Sequence, residues 1–240
     1  MERVNDDPIA RYSRIGLWAL PIYAFLLGVG TITHQPPPQT DLADWSRYVT
    51  TDEFLASHLV ASIGGAVFGV LGAMALGVVL MRRGSVRLGL ARLLTGVSGN
   101  ILITSVFGVA AYTQPAVGRF YLAGHHDLAQ GLYYDATQPI ALVVVALLSL
   151  VLLSASFIVF GVAVARMAGL PRLAGIGLAV SIVLFAVIGF ALDNWIQTVG
   201  SVLMTICAVW IGLALNRQPA SISRPRTNLP TTLMSMEKQR

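Results

Sequence analysis

The chain has 240 residues, of which 55% are hydrophobic and only 11% are charged, and its formal net charge is +5. Soluble domains carry about 25% charged residues, so this composition excludes a soluble globular protein and predicts an integral membrane protein. The excess of basic residues does not predict nucleic-acid binding, because no basic face with interleaved aromatic residues occurs in the sequence.

Six apolar runs predict an all-α membrane protein with six transmembrane helices, because about 20 apolar residues cross the hydrocarbon core of a bilayer. We expect one transmembrane domain over residues 15–215, preceded by a polar segment, 1–14. A tail rich in Pro, Ser, Thr and Arg, residues 216–240, is predicted to be disordered. The predicted helices cover residues 15–32, 54–80, 93–113, 139–165, 173–191 and 197–215.

The distribution of basic residues predicts the orientation of these helices. Of the 16 Lys and Arg residues, only Arg47 and Arg119 fall on one side of the six-helix arrangement, and the others fall on the opposite side. Under the positive-inside rule, this bias places both termini in the cytoplasm. We therefore expect a multi-pass protein of a plasma membrane, from a bacterial cell. All four histidines then fall on the outer side.

The second predicted helix carries a small residue at every fourth position. Such a stripe lets another helix backbone approach closely. The favoured interpretation is packing inside the protein's own bundle, and the alternative is a seam for another membrane subunit or for a second copy of this chain through helix 54–80. The stripe consists of Ala61, Gly65, Gly69, Ala73 and Gly77.

Three uncharged polar residues are expected at membrane depth: Asn100 and Thr104 in the third helix and Gln197 at the start of the last. Lipid offers no hydrogen-bond partner, so each side chain needs one within the protein. The favoured interpretation of Asn100 is a hydrogen bond between helices, and the alternative is a polar lining for a substrate path together with Thr104, Ser105 and His58.

A group of histidines and aspartates is predicted at the outer side of the membrane. Imidazole and carboxylate groups suit a divalent metal, and haem is held by imidazole, so such a group is a candidate site. The spacing argues against it, because His125 and His126 are adjacent and no H-E-x-x-H pattern occurs. We therefore predict no cofactor, with haem or a metal on His58, His125 and His126 as the alternative. The candidate outer-face cluster is His58, His125, His126, Asp127, Asp135 and Asp193.

A short sequence resemblance links two stretches, Gly77–Arg82 and Gly161–Arg166, each of which ends a predicted helix in arginine. Apolar runs that end in arginine are common, so chance is the favoured explanation and an internal duplication is the alternative.

The sequence contains no catalytic motif, and the function is therefore inferred from what the chain lacks. We expect a non-enzymatic accessory, stabilising or sensing subunit of a membrane assembly, whose surroundings are lipid and whose partners are other membrane subunits. One alternative is a small transporter or channel. The other is an enzyme or redox protein at the outer face, acting on a lipid or quinone through His58, His125, His126 and nearby aspartates.

Overall fold

The computed structural model describes residues 15–33, 41–192 and 194–217. The predicted segment 1–14, nearly all of the predicted tail, His34 and Asp193 lie outside these ranges. Within them the chain contains helices and no strand. The helices are α1 (Ala19–Thr33), α2 (Leu42–Val49), α3 (Asp52–Arg82), α4 (Val86–Leu122), α5 (His126–Leu132), α6 (Ile140–Arg166), α7 (Arg172–Leu192) and α8 (Asn194–Arg217).

Five of these helices, α3, α4, α6, α7 and α8, are long and apolar enough to cross a membrane. The shorter α1 is also apolar, at 15 residues. Between its ends, an α-helix satisfies its backbone hydrogen bonds within the segment, which is the requirement that the hydrocarbon core of a bilayer imposes. The described part of the chain is therefore helical, and its apolar helices point to a multi-pass membrane protein.

The six apolar helices pack in a closed ring that follows chain order. Each helix contacts the next, in the order α1, α3, α4, α6, α7 and α8, and α8 returns to contact α1. At one end, which we call the turn end, tight turns join α3 to α4 and α6 to α7. The opposite end, which we call the cap end, carries the short helices α2 and α5.

In the hairpin of α3 with α4 and in that of α6 with α7, a pair of glycines brings the two helices into backbone contact near the turn end. A methyl group on Gly175 would lie 2.5 Å from the carbonyl oxygen of Gly161, and one on Gly89 would lie 2.6 Å from that of Gly77. Only glycine permits helices to approach this closely. Gly77 and Gly161 are the first residues of the two similar stretches, so the sequence resemblance has a counterpart in packing.

The cap has a small hydrophobic core of its own. It is built from Trp45, Val49, Phe54, Ala110, Val117, Ala129 and Tyr133. Trp45 meets the ring of Tyr133 edge-on, with centroids 4.8 Å apart. The polypeptide enters α2 through Asp41, whose carboxylate accepts hydrogen bonds from the backbone N–H groups of Ala43 and Asp44 at 2.9 and 3.0 Å. These bonds satisfy donors that the first helical turn leaves unpaired.

Helix boundaries differ most from the predicted ones in α4. The prediction began this helix at residue 93 and ended it at 113, whereas α4 begins at Val86 and runs to Leu122. The extra residues at the cap end carry polar and aromatic groups, and they are helical because one face of them packs on α2. There, Gly118 lies beneath Val49 and the carbonyl oxygen of Ser46.

Four stretches of the described residues are π-helical, and all lie near the cap end. They are π1 (Ser57–Gly64) within α3, π2 (Val109–Thr113) within α4, π3 (Tyr133–Thr137) after α5, and π4 (Leu184–Gly189) within α7. π-Helical turns are rare, and they occur frequently at functional sites. Nothing in the residue periodicity predicted them.

We expect Gly161→Ala to destabilise the protein by about 1–3 kcal/mol, because the added methyl group meets the Gly175 carbonyl. The matched control is Gly212→Ala, since a methyl group at that helical position meets no atom within 4 Å. Thermal unfolding in detergent measures both. Equal melting temperatures for the two variants would contradict the close contact of α6 with α7.

The cap should loosen in acid. The hydrogen bond from the Asp44 backbone N–H holds the pKa of the Asp41 carboxyl below its ordinary value of 3.8. A carboxyl whose pKa is lowered by folding stabilises the folded state above its unfolded pKa, and this contribution is lost as the pH falls through the folded value. Trp45 fluorescence should therefore shift to the red below about pH 4.

The control for this titration is Asp41→Asn, which retains a capping side chain and removes the ionisable group. The variant should lose the part of the fluorescence shift that belongs to Asp41. An unchanged titration in Asp41→Asn would assign the transition to another carboxyl group.

Candidate binding cavity

A cavity of about 460 Å³ lies inside the cap half of the bundle. This volume is within the range of small-molecule binding sites, about 300–1,000 Å³. Along α6 the lining residues extend from Leu142 to Leu153, a depth of about 16 Å at 1.5 Å per residue. The cavity is therefore long enough for a chain-like molecule.

The two ends of the cavity differ in polarity. Towards the turn end its walls are Tyr23, Leu27, Leu150 and Leu153. Towards the cap, polar side chains join the lining, among them Tyr48, His58, Gln114, Thr137, Asn194 and Gln197. No Asp, Glu, Lys or Arg belongs to the described lining. The cavity therefore suits an uncharged molecule with one polar end.

All four π-helical stretches contribute to the cavity wall. His58, Ala61 and Ser62 come from π1, Ala110 comes from π2, Thr137 comes from π3, and Phe185 comes from π4. A π-helical turn inserts a residue into the helical register and re-aims the side chains that follow it. The irregular backbone is therefore concentrated around one space, and the regular α-helix resumes where the helices pack together near the turn end.

Among the described residues of the predicted outer-face cluster, His58 lines this cavity. Its Nδ1 is 2.8 Å from the carbonyl oxygen of Phe54, and its ring stacks on the Phe54 ring with centroids 4.2 Å apart. A carbonyl oxygen only accepts, so Nδ1 carries the proton and donates it. Nε2 of the neutral ring is then an acceptor.

The other described members of the outer-face cluster lie at the surface of the cap. His125, His126, Asp127 and Asp135 are exposed, and the His126 ring meets Tyr121 edge-on at 4.4 Å. None of them lines the cavity. Among the described residues, no three His, Cys, Asp or Glu side chains are grouped so as to hold a metal ion. The positions of the possible metal ligands therefore give no support to the hypothesis of a metal on His58, His125 and His126.

The small-residue stripe of α3 contacts two helices of the same bundle. Ala61 faces Gly30 and Gly65 faces Tyr23, both on α1. Further along α3, the contacts pass to α4: Gly69 lies against Asn100, Ala73 faces Gly96, and Gly77 faces Gly89. These five positions are buried in the monomer.

Of the predicted polar residues at membrane depth, Gln197 lines the cavity, whereas Asn100 and Thr104 do not. The Asn100 amide donates to the carbonyl oxygen of Gly96 at 2.7 Å, and the Thr104 hydroxyl donates to that of Asn100 at 2.7 Å. Ser105 likewise donates to its own helix, at the carbonyl of Leu102. The Asn100 side-chain oxygen has no hydrogen-bond partner in the described part of the chain.

Sequence reasoning missed the most deeply buried charge. Arg92 was counted only among the basic residues on the cytoplasmic side, yet only 2% of it is exposed. It donates a hydrogen bond to Ser156, and its guanidinium carbon lies 4.7 Å from the Phe157 ring centroid and 5.6 Å from that of Phe160. Aromatic faces attract a cation in this arrangement. The two phenylalanines are a signal for the buried arginine only when α4 and α6 are known to be neighbours. That information is missing when each helix is considered by itself.

Arg92 lies just beyond the apolar end of the cavity. Arg92 packs on the ring of Phe157, which lies 6.2 Å from the ring of Tyr23, a wall of that end. The Arg92 Nε has no hydrogen-bond partner among the residues that the structure describes. Arg92 itself is not part of the cavity lining, and two aromatic rings and one hydroxyl group surround its guanidinium group.

Comparison with protein-family models, with curated proteins and with solved structures gave no match to this chain.

Proposed function

We propose that this chain is a non-enzymatic membrane protein that binds a small, uncharged, largely apolar molecule, as a sensing or accessory subunit. The cavity is the observation that carries the proposal. A packed bundle of this size with no ligand would be expected to fill its interior with side chains. Here about 460 Å³ remains between the helices, with its polar groups gathered at one end.

The proposal includes six crossings of a bacterial plasma membrane, with α1 as the first and with both termini in the cytoplasm. The turn end carries the described arginines Arg82, Arg83, Arg87, Arg166, Arg172 and Arg217. The cap end carries Arg47 and Arg119. This asymmetry supports a cytoplasmic turn end and a cap that faces outwards.

Two alternatives receive less support from the cavity lining. A substrate path was expected to run along Asn100, Thr104, Ser105 and His58, and of these only His58 is in the lining. An enzyme acting through His58 would need an acid or base partner beside it, and the described lining contains no carboxylate. A binding role requires only the shape and polarity that the cavity has.

Purified protein should retain about one uncharged apolar molecule per chain, and Val106→Trp should lower that occupancy by about tenfold or more. Val106 lines the cavity, so the indole would fill space that the molecule uses. A steric clash that weakens binding by about 1.4 kcal/mol is sufficient to lower the affinity tenfold. Mass spectrometry of solvent extracts and of the intact protein measures the occupancy.

The matched control is Val151→Trp, because Val151 is 64% exposed on the outer surface of α6. This variant should retain the molecule at the level of the unaltered protein. No retained molecule in the unaltered protein, or equal retention in the two variants, would refute ligand binding in the cavity.

Cysteine labelling tests the orientation. In a Cys207→Ala background, an impermeant maleimide should label Gln130→Cys in the cap of intact cells and should label Ser85→Cys at the turn end only after the cells are opened. Labelling of Ser85→Cys in intact cells would reverse the proposed topology.

A further inference from the structure

Helices α6 and α7 both line the cavity, and they are not packed together along their whole length. They touch backbone to backbone at Gly161 and Gly175 near the turn end. Towards the cap, α6 keeps only a few contacts with π4 of α7. The two helices therefore diverge from a fixed crossing, and the space between them widens in the direction of the cap.

Burial along α6 changes at the same level. From Ser149 to Val164 the helix has a buried residue on nearly every turn, whereas residues 140–148 include none. Leu142 and Ala146 in this uncovered part line the cavity. On the opposite side of the gap, Phe185 and Phe190 of α7 also line it, and Phe190 is itself exposed. The cavity wall and the lipid-facing surface meet along this gap.

The route along the bundle axis is covered by the cap. Trp45, Val49 and Phe54 belong both to the cap core and to the cavity lining. Trp45 is only 4% exposed. A molecule that entered from water would have to displace this core, whereas one that entered from the bilayer would pass between α6 and α7.

We infer that the cavity takes the hydrocarbon chain of a membrane lipid with an uncharged head, such as a diacylglycerol, and that the lipid enters sideways from the surrounding leaflet between α6 and α7. The inference rests on the proposed binding function and names its ligand class and entry route. The apolar end accommodates the chain, and the polar side chains below the cap accommodate an uncharged head. An anionic head would find no cation in the described lining.

Trp45 can report a lipid chain inside the cavity. The protein has four tryptophans, and replacing Trp18, Trp195 and Trp210 by Phe leaves Trp45 as the single fluorophore. Bromine atoms on a lipid chain quench an indole that they contact. The probe is a diacylglycerol whose chains carry bromine on the carbons next to the ester groups, because Trp45 lies at the polar end of the cavity, beside the head. It is added at low mole fraction to vesicles of unbrominated phosphatidylcholine. A brominated phosphatidylglycerol at the same mole fraction supplies the anionic comparison.

We expect the brominated diacylglycerol to quench Trp45 strongly and the brominated phosphatidylglycerol to quench it weakly. Ala146→Phe narrows the opening and should remove most of the quenching by diacylglycerol. Leu147→Phe is the matched control, because Leu147 is the next residue and 51% exposed towards lipid, and it should leave the quenching unchanged. Acrylamide in the water should quench Trp45 little in every variant.

Absent quenching by diacylglycerol, equal quenching by the two lipids, or equal effects of Ala146→Phe and Leu147→Phe would overturn the inference. Strong quenching by acrylamide would also overturn it, because the cavity would then open through the cap. In each of these cases, retention of an apolar molecule that Val106→Trp abolishes would still support ligand binding. The quenching of Trp45 can also be obtained without replacing the other three tryptophans, as the difference in quenching between the unaltered protein and Trp45→Phe.

Discussion

The close contact of Gly161 with Gly175 fixes how α6 and α7 cross, and the shape of the cavity depends on that crossing. Lipid is as apolar as the helix surfaces, so burial of apolar area gives little drive to pack helices inside a membrane, and close backbone contact supplies much of the attraction. In this protein the contact of α6 with α7 lies near the turn end, where a hydroxyl and two aromatic rings also surround Arg92. These two helices are fixed at that end and diverge towards the cap, whereas α7 and α8 stay in close contact there at Gly189 and Gly200.

The consequence of this divergence is a division of the bundle into two halves. The half near the turns is regular α-helix and is well filled, with Leu76, Phe160, Leu178 and Met204 in its core. The half near the cap is interrupted by four π-helical stretches and encloses the cavity. A backbone that must satisfy its hydrogen bonds without water tolerates irregularity only where neighbouring protein surrounds it. The cap core of Trp45, Phe54 and Tyr133 provides such surroundings at the end of the bundle.

Hydropathy and charge were sufficient to predict the helical class, because both are properties of single segments. The ends of α6 and α8 agree with the predicted ones within three residues, since apolar runs end at Arg166 and Arg217. The prediction of a small-residue face on α3 likewise required only a four-residue period. What the stripe contacts could not be read from α3 alone, because the partner changes from α1 at Gly65 to α4 at Gly69.

The cavity, the π-helical stretches and the burial of Arg92 all depend on relations between distant segments. Arg92 is the seventh residue of α4, and from the sequence alone it is interpreted as an arginine at the membrane surface. Its burial becomes apparent only when Ser156 and Phe157 of α6 are known to face it. His58 was singled out for metal chemistry, and its neighbour in the structure is the ring of Phe54. Residue types predicted that this histidine is unusual in an apolar helix, and the packing of the cap determines what surrounds it.

The continuity of α4 has a mechanical consequence. This helix runs for 37 residues from Val86 to Leu122, a length of about 55 Å at 1.5 Å per residue. Its turn end is held by Gly89 against α3, its middle borders the cavity at Val106 and Ala110, and its far end carries the cap through Val117 and Gly118. Because α4 is held at the turn end and contacts the cap at its other end, a tilt of this helix moves the cap farther than it moves the turn end. At this length, a tilt of α4 by a few degrees would displace the cap by ångströms, so the position of the cap depends on how the cavity walls hold this helix.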